Sequence, residues 1–386
     1  MKNNRKKMRM LIDFDDVLCP CAELAVAQWN KEHTEADPMT VDEIREWGWT
    51  GTRTDELLEY YKDPHSECYR LQKPYKGAAK FIEKLQKIVD VYICTAVPPE
   101  VTEFRIRQIR KFFPMISKSN IIIASRKDLI AAESFQFMLD DSPEHITNSR
   151  ADYTIMWRQP WNERITGILA AQVYDDVISI VDMVIRDEIG LNNPPKAPFL
   201  YVLVGTSGSG KNQVIRKLME LGYVKVRSYT TKAEEMNEED EYFAHVTKDE
   251  FFSLIVQNKV SEFTRYAGNY FGTDVEFVMN RWKEGRNCIM AADISGAMML
   301  KKTLNKGFGP DSCRVVTVYC ERDRYRTIQS ILNREMPNEE KALRLAYLDA
   351  ERANQAICDI SVNTDDAAKA AEELDRLWRD TCLPEE

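Results

Sequence analysis

At 386 residues the chain exceeds the ~150 typical of one domain and suggests two or three, and 44% hydrophobic residues suffice for more than one core. With 30% charged residues and only 15 Gly and 15 Pro, collagen-like and low-complexity disordered classes are excluded. The 53 basic residues set against 62 acidic ones leave a net charge of −9, shared by both halves, which argues against the broad basic face that nucleic acid requires.

The opening MRMLIDFDDVL is an apolar run ending in acids, the pattern of a buried parallel strand that delivers carboxylates at its C-terminal end. Residues of about 20–75 are Trp-rich, charged and poor in strand patterns, and read as a mostly helical insertion after that strand. Further apolar runs follow at Val89 to Cys94, Ile121 to Ala124, Phe135 to Leu139 and Tyr153 to Trp157, with helical stretches at Ala78 to Lys87 and Glu100 to Phe113 between them. Strand and helix alternate, so the fold class is α/β.

Asp13 and Asp15 lie two apart, so on a strand both side chains point to one side and, at its end, can face a phosphate and a divalent ion. Taken alone the pair reads rather as an Asx-type turn with solvated acids. The rest of the half adds to it: a later strand ends in the hydroxyl of Thr95, Ser125-Arg-Lys127 supplies a cation, and Phe137-Met-Leu-Asp140-Asp141 ends another strand with two acids. In this order the four segments resemble the motifs of the haloacid dehalogenase-like (HAD-like) phosphohydrolases over about residues 8–185. Ile93-Cys-Thr-Ala-Val-Pro98, Leu139-Asp-Asp-Ser142 and the early insertion as a cap resemble the 5'(3')-deoxyribonucleotidases in particular. The resemblance implies a HAD-like Rossmannoid domain. Asp13 is then the aspartyl nucleophile, Asp15 the general acid and base, Thr95 and Lys127 the phosphoryl contacts, and Asp13, Asp15, Asp140 and Asp141 the Mg²⁺ site. Asp16 stands where those nucleotidases usually have Gly. The cap aromatics Trp29, Trp47, Trp49 and Tyr61 fit either base stacking or the core and surface of the cap.

Gly190-Leu-Asn-Asn-Pro-Pro-Lys-Ala-Pro198 suits neither helix nor sheet interior and reads as a linker (190–198) between domains 1–189 and 199–386. A strand from Phe199 to Val204 then runs into Gly205-Thr-Ser207-Gly208-Ser209-Gly210-Lys211-Asn212 and a helix to about Leu221. This is the G-x-x-x-x-G-K pattern in its required setting, where backbone N–H groups and a helix N-terminus cradle phosphates and Lys211 adds charge. Asn212 stands where Ser or Thr normally ligates Mg²⁺.

Downstream, Arg227-Ser-Tyr-Thr-Thr-Lys232, Glu241-Tyr-Phe243, Ser261-Glu262, Gly268-Asn-Tyr-Phe-Gly-Thr273 and Asp293-Ile-Ser-Gly296 resemble guanylate kinases in order and spacing, over about 199–380. That resemblance implies a P-loop kinase domain with ATP as donor. Ser228, Lys232 and Tyr242 would face the acceptor phosphate, Glu262 and Thr273 the base edge, with Tyr270 and Asp293 in the same acceptor site. Arg334 and Arg344 would clamp the transferring phosphoryl from a helical lid. Lys232 and Glu235 replace two arginines of the family pattern, and Phe271 replaces a tyrosine, so contacts to the acceptor phosphate are thinned.

The combined reading is a bifunctional, Mg²⁺- and ATP-using enzyme acting on (deoxy)nucleoside monophosphates. A polynucleotide kinase/phosphatase-type enzyme and a phosphatase fused to a non-catalytic guanylate-kinase-like binding module are its alternatives. No stretch of ~18 apolar residues is present and the start lacks a secretory h-region, so the expected location is the cytoplasm, with no membrane partner. Nine scattered cysteines without C-x-x-C spacing read as reduced thiols, mostly in cores.

Overall fold

The computed structural model describes residues 7–48, 53–130, 135–186, 195, 198–233, 242–266, 269–306 and 314–377. They form two compact units, Met1–Arg164 with Ala170–Asp182, and Ile165–Leu169 with Met183–Glu386. Of the expected linker only Pro195 and Pro198 are among the described residues, and Trp49, Glu235 and Gly268 lie outside them.

The first unit is built on six strands: β1 (Arg9–Asp13), β2 (Asp90–Thr95), β3 (Ile121–Ile123), β4 (Phe137–Asp140), β5 (Tyr153–Trp157) and β6 (Ala170–Ala171). They lie in the order β3-β2-β1-β4-β5-β6, with every pairing parallel. After Arg9, β1 is apolar until its last residue, as is β4, because both faces are covered, Met10 to Ile12 and Phe137 to Leu139 being at most 1% exposed. In this order β1 has neighbours on both sides that lead away in opposite directions, and the crevice beyond the carboxyl ends of such strands is where ligands bind. Register places Asp13 opposite Cys94, and Ile12 opposite Leu139, so Asp13, Thr95 and Asp140 emerge along one edge. The insertion is helical as expected, with helices Ala22–Glu32, Leu57–Lys62 and Glu67–Arg70. It has its own small core around Ala25, Trp29, Met39, Leu57 and Cys68.

The second unit holds a five-stranded parallel sheet and a four-stranded mixed sheet. The first comprises β7 (Leu200–Val204), β8 (Val224–Lys225), β13 (Cys288–Ala291), β14 (Val315–Glu321) and β15 (Ile360–Asn363), in the order β15-β14-β7-β13-β8. The second comprises β9 (Ser228–Thr230), β10 (Phe243–His245), β11 (Val260–Tyr266) and β12 (Asn269–Asp274), in the order β10-β9-β12-β11. β7 is wholly buried at the centre of its sheet and feeds the glycine-rich turn directly into helix Lys211–Glu220. Seven cysteines among the described residues are free and buried, and no described helix is long and apolar enough to cross a membrane.

Candidate active sites

At the end of β1 the chain places three carboxylates, Asp13, Asp140 and Asp141, with ligand atoms within 4.8 Å of one another, all buried. Lys127 Nζ lies 2.5 Å from Asp13 Oδ2 and 3.4 Å from Asp140 Oδ2, so the cation expected from sequence sits between the two acid-bearing strands. Burial pushes Asp13 up to about 6, against the pull of Lys127, and pushes Asp141 well above the carboxylate range, helped by Asp13 and Asp140. Asp140 stays below its usual value: burial raises it, but Lys127 and His145 outweigh burial. One lysine therefore fails to neutralise the trio. A divalent cation fits this donor set, because the three closely spaced buried carboxyls, once all ionised, would carry more negative charge than Lys127 and His145 balance.

Asp15, expected among the metal ligands, is not brought into that cluster. Its carboxylate is taken by Arg105 Nη1 at 2.7 Å, Gln72 Nε2 at 2.7 Å and Thr95 Oγ1 at 3.0 Å, and it is not one of the clustered three. Burial alone would raise Asp15, but Arg105 holds it below the ordinary range. Thr95 is fully buried beside it and also accepts from Arg105 Nη1 at 2.9 Å. Arg105 was missed by sequence reasoning: it sits inside helix Thr102–Phe112, where an arginine normally marks a solvent face, yet its side chain is 0% exposed. His145 was missed as well; Nδ1 faces Asp140 at 3.2 Å while Nε2 bonds the Ser125 carbonyl at 3.1 Å. Trp29 belongs to the cap core and stacks on His33, and the Tyr61 hydroxyl donates to Asp16 at 3.1 Å, so these aromatics are placed within the cap. Trp47 is 40% exposed, edge-on to His145.

In the second unit Gly205, Ser207, Gly208, Ser209, Gly210, Lys211 and Asn212 line one cavity of about 710 Å³, together with Asp293, Arg334 and Arg344. A Cβ at Gly205 would come within 2.8 Å of the Cys320 carbonyl, so only glycine lets the turn pass this close to β14. Lys211 Nζ folds back on the Gly205 and Thr206 carbonyls at 2.5 and 2.9 Å, and burial lowers its pKa. The two lid arginines, distant in sequence, converge on one atom: Arg334 Nη1 and Arg344 Nη1 donate to Ser207 Oγ at 3.1 and 2.7 Å. Two neighbours carried no sequence signal. Arg322 Nη1 donates to the Gly208 carbonyl at 2.8 Å, and Glu351 Oε2 accepts from Ser207 N at 3.3 Å. Burial raises Glu351 to about 7, with Lys211 opposing.

Of the expected acceptor residues, Ser228, Glu262, Tyr270 and Thr273 lie on the mixed sheet, Lys232 and Tyr242 flank its strands, and Asp293 follows β13 of the other sheet. Glu262 accepts from Thr273 N at 3.0 Å and from the Thr273 hydroxyl, while Ser228 is the register partner of Thr273 on β9. A Cβ at Gly272 would lie 2.9 Å from the Glu262 carbonyl, so glycine is what lets β12 approach β11 here. Burial raises Glu262 to about 7 against these hydrogen bonds, with Asp293 adding to the rise. Asp293 Oδ1 accepts from Gly296 N at 2.7 Å. Lys225 Nζ lies 3.6 Å from the Tyr242 ring centroid, and the Lys232 carbonyl accepts from His245 Nδ1 at 2.8 Å. Tyr270, expected in the acceptor site, is not brought together with the others. Side chains alternate along β12, so Tyr270 points to the face opposite Thr273 and packs among Phe251, Phe252 and Phe263. Phe271 points the other way, towards Phe243.

Residues 6–188 match the family model described as "5' nucleotidase, deoxy (Pyrimidine), cytosolic type C protein", and residues 198–381 match "Guanylate kinase". The guanylate kinase of Synechocystis sp. is 30% identical over 189 residues, covering 46% of this chain and 92% of that protein. That of Bacillus subtilis is 32% identical over 114 residues, covering 28% of this chain and 55% of that protein. The chain thus spans about half the length of the first curated relatives it matches. Among solved structures, the guanylate kinase from Anaplasma phagocytophilum has a TM-score of 0.36 at 19% identity, covering 50% of this chain and 89% of that one. A haloacid dehalogenase-like family hydrolase from Xanthomonas campestris has a TM-score of 0.30 at 14% identity, covering 48% and 97%.

Proposed function

We propose, from the premise that this chain belongs to the guanylate kinase family through its second half and carries a 5'-nucleotidase-like domain in its first, that it is a bifunctional enzyme of nucleotide metabolism. Domain 1–189 hydrolyses a (deoxy)nucleoside monophosphate, and domain 199–386, beyond linker 190–198, transfers a phosphoryl group from ATP to one, both in the cytoplasm. The observation that carries the reading is that each unit has its own convergence of charged side chains suited to a phosphate: Lys127 amid Asp13, Asp140 and Asp141, and Lys211 with Arg334 and Arg344 around Ser207.

In the first centre Asp13 attacks phosphorus, the bond to the nucleoside oxygen breaks, and that oxygen takes the proton that Asp15, ionised at rest beside Arg105, picks up as the phosphate monoanion binds. The resulting aspartyl phosphate is opened by water, whose proton returns to Asp15. Lys127 and Thr95 hold phosphoryl oxygens, and Arg105 keeps Asp15 poised as the base of the second step. Asp13, Asp140 and Asp141 would hold Mg²⁺, which when bound offsets phosphoryl charge. In the second centre the turn Gly205–Gly210, Lys211 and Asn212 bind the donor phosphates. Arg334 and Arg344 neutralise charge developing on the transferred group. Ser228, Lys232, Tyr242, Glu262, Thr273 and Asp293 bind the acceptor.

Opposed activities on one substrate would be futile, so the two centres prefer different bases. Phe271, facing Phe243 without a hydroxyl, favours a second reading in which the kinase half binds nucleotide without turning it over. A panel of ribo- and deoxynucleoside monophosphates with Mg²⁺, with and without ATP, separates the two. Nucleoside release without ATP and a diphosphate from a different base with ATP support the bifunctional enzyme. Nucleotide binding with no diphosphate from any base supports the silent module.

A further inference from the structure

Asp16 has no part in the chemistry above, yet it is among the most constrained residues of the first unit. It is 4% exposed and adopts φ +56°, the left-handed region that non-glycine residues rarely enter. Such a conformation persists where the surroundings fix it, and here they do so from three directions. Oδ1 accepts from Cys21 N at 2.7 Å and Ala22 N at 2.9 Å, capping helix Ala22–Glu32, whose own N-cap residue Cys21 supplies no side-chain cap. Oδ2 accepts from the Tyr61 hydroxyl at 3.1 Å, on cap helix Leu57–Lys62. The carbonyl of Asp16 accepts from Gln159 Nε2 at 2.5 Å, just beyond β5. A second strut runs parallel: the Tyr69 hydroxyl donates to the Tyr61 carbonyl at 2.5 Å, and Gln108 Nε2 to the Tyr69 carbonyl at 2.6 Å.

We propose that Asp16 is a positioning residue that fastens two separate cap helices to the turn carrying Asp13 and Asp15, and so fixes the cap where a nucleoside, rather than a bare phosphate ester, is held. The inference rests on the phosphatase reading of this site for its catalytic consequence, but the fastening itself does not. A carboxylate suits the role because its two oxygens serve two helices at once, which a glycine here would leave unconnected. Glycine would nevertheless accept the backbone geometry without strain, so Asp16→Gly removes the fastening and spares the turn.

The test uses the full chain with Asp16→Gly, Asp16→Asn and Tyr61→Phe. Amide hydrogen exchange is followed over 22–25 and 57–62, alongside hydrolysis of a deoxynucleoside monophosphate and of p-nitrophenyl phosphate. Asp16→Gly should speed exchange in both segments at least tenfold, and Tyr61→Phe only in 57–62. For both variants kcat/KM for the nucleotide should fall at least fivefold relative to that for p-nitrophenyl phosphate, mainly through KM, and Asp16→Asn should be intermediate. Unchanged exchange at 57–62 in Asp16→Gly, or equal loss on both substrates in Asp16→Asn and Tyr61→Phe, overturns the proposal. If the wild type cleaves p-nitrophenyl phosphate but no nucleotide, the nucleotidase reading fails and the exchange comparison alone decides the fastening.

Discussion

Replacing Arg105 by Met keeps most of the buried side-chain volume and removes the charge that faces Asp15. The guanidinium Cζ of Arg105 lies 4.3 Å from the Phe14 ring centroid, so methionine retains apolar packing there, and the loss is chiefly electrostatic. Removing one partner of a buried ion pair typically costs ~3–5 kcal/mol. Asp15 keeps Gln72 and Thr95 as donors and its side chain is 16% exposed, which places the cost at the lower end, about 3 kcal/mol. For a unit of this size ~1 kcal/mol corresponds to ~2–4 °C, so the melting transition of the first unit should fall by ~6–12 °C. Asp15→Asn plus Arg105→Met should recover much of this loss, since asparagine leaves no unpaired charge. Calorimetry of the wild type, both single variants and the double variant closes the cycle. Strict additivity, or an Arg105→Met transition within 2 °C of wild type, would refute the claim that the pair holds Asp15 in place.

Lys127→Met leaves Asp13 and Asp140 without their shared cation, and phosphatase kcat should drop by ~10²–10³, the usual size for losing one charge-stabilising group; steady-state kinetics that show less than a fivefold loss would contradict its role. Glu262, raised to about 7, must ionise to accept from a base N–H, so acceptor affinity should rise between pH 6 and 8 and lose that dependence in Glu262→Gln, as titration calorimetry would show. The sign for stability is opposite: the native state keeps a proton that the unfolded chain has lost, so the second unit should lose stability from about pH 4.5 to 7 and level off above. Glu351, also raised to about 7, adds to that loss, and Glu262→Gln should remove only its own share in pH-dependent melting.

Much of the architecture was legible because parallel strands buried on both faces read as short apolar runs: Tyr153 to Trp157 is a strand over its full predicted length, and the others shift by a residue or two. The placement of Asp13, Asp140 and Asp141 was legible because residues at strand ends inherit their position from the sheet, whereas Lys127 opens the short helix Lys127–Ile130 beyond β3 and was legible only through its order among the motifs. Arg105 was not, because a helix interior offers no such cue, and only packing under Phe14 and Tyr69 buries that side chain. The Asp15 environment follows from Arg105 and was therefore hidden too. Tyr270 shows the converse: motif proximity suggested the acceptor site, whereas strand parity, readable from the same six letters, sends it to the face opposite Thr273. The bond between Asp16 and Tyr61 spans 45 positions, beyond the reach of any local pattern.

The claim that one chain carries two separate phosphoryl-handling centres is tested most directly by crossing Asp13→Asn with Lys211→Ala. Each variant, with wild type, is given Mg²⁺, ATP and the best monophosphate for each half, and nucleoside and diphosphate are resolved from the same reaction. Asp13→Asn should release no nucleoside and form diphosphate at the wild-type rate, and Lys211→Ala should do the reverse, because the two centres belong to units with their own sheets. Loss of both products in either variant, with the fold intact by calorimetry, would contradict the account.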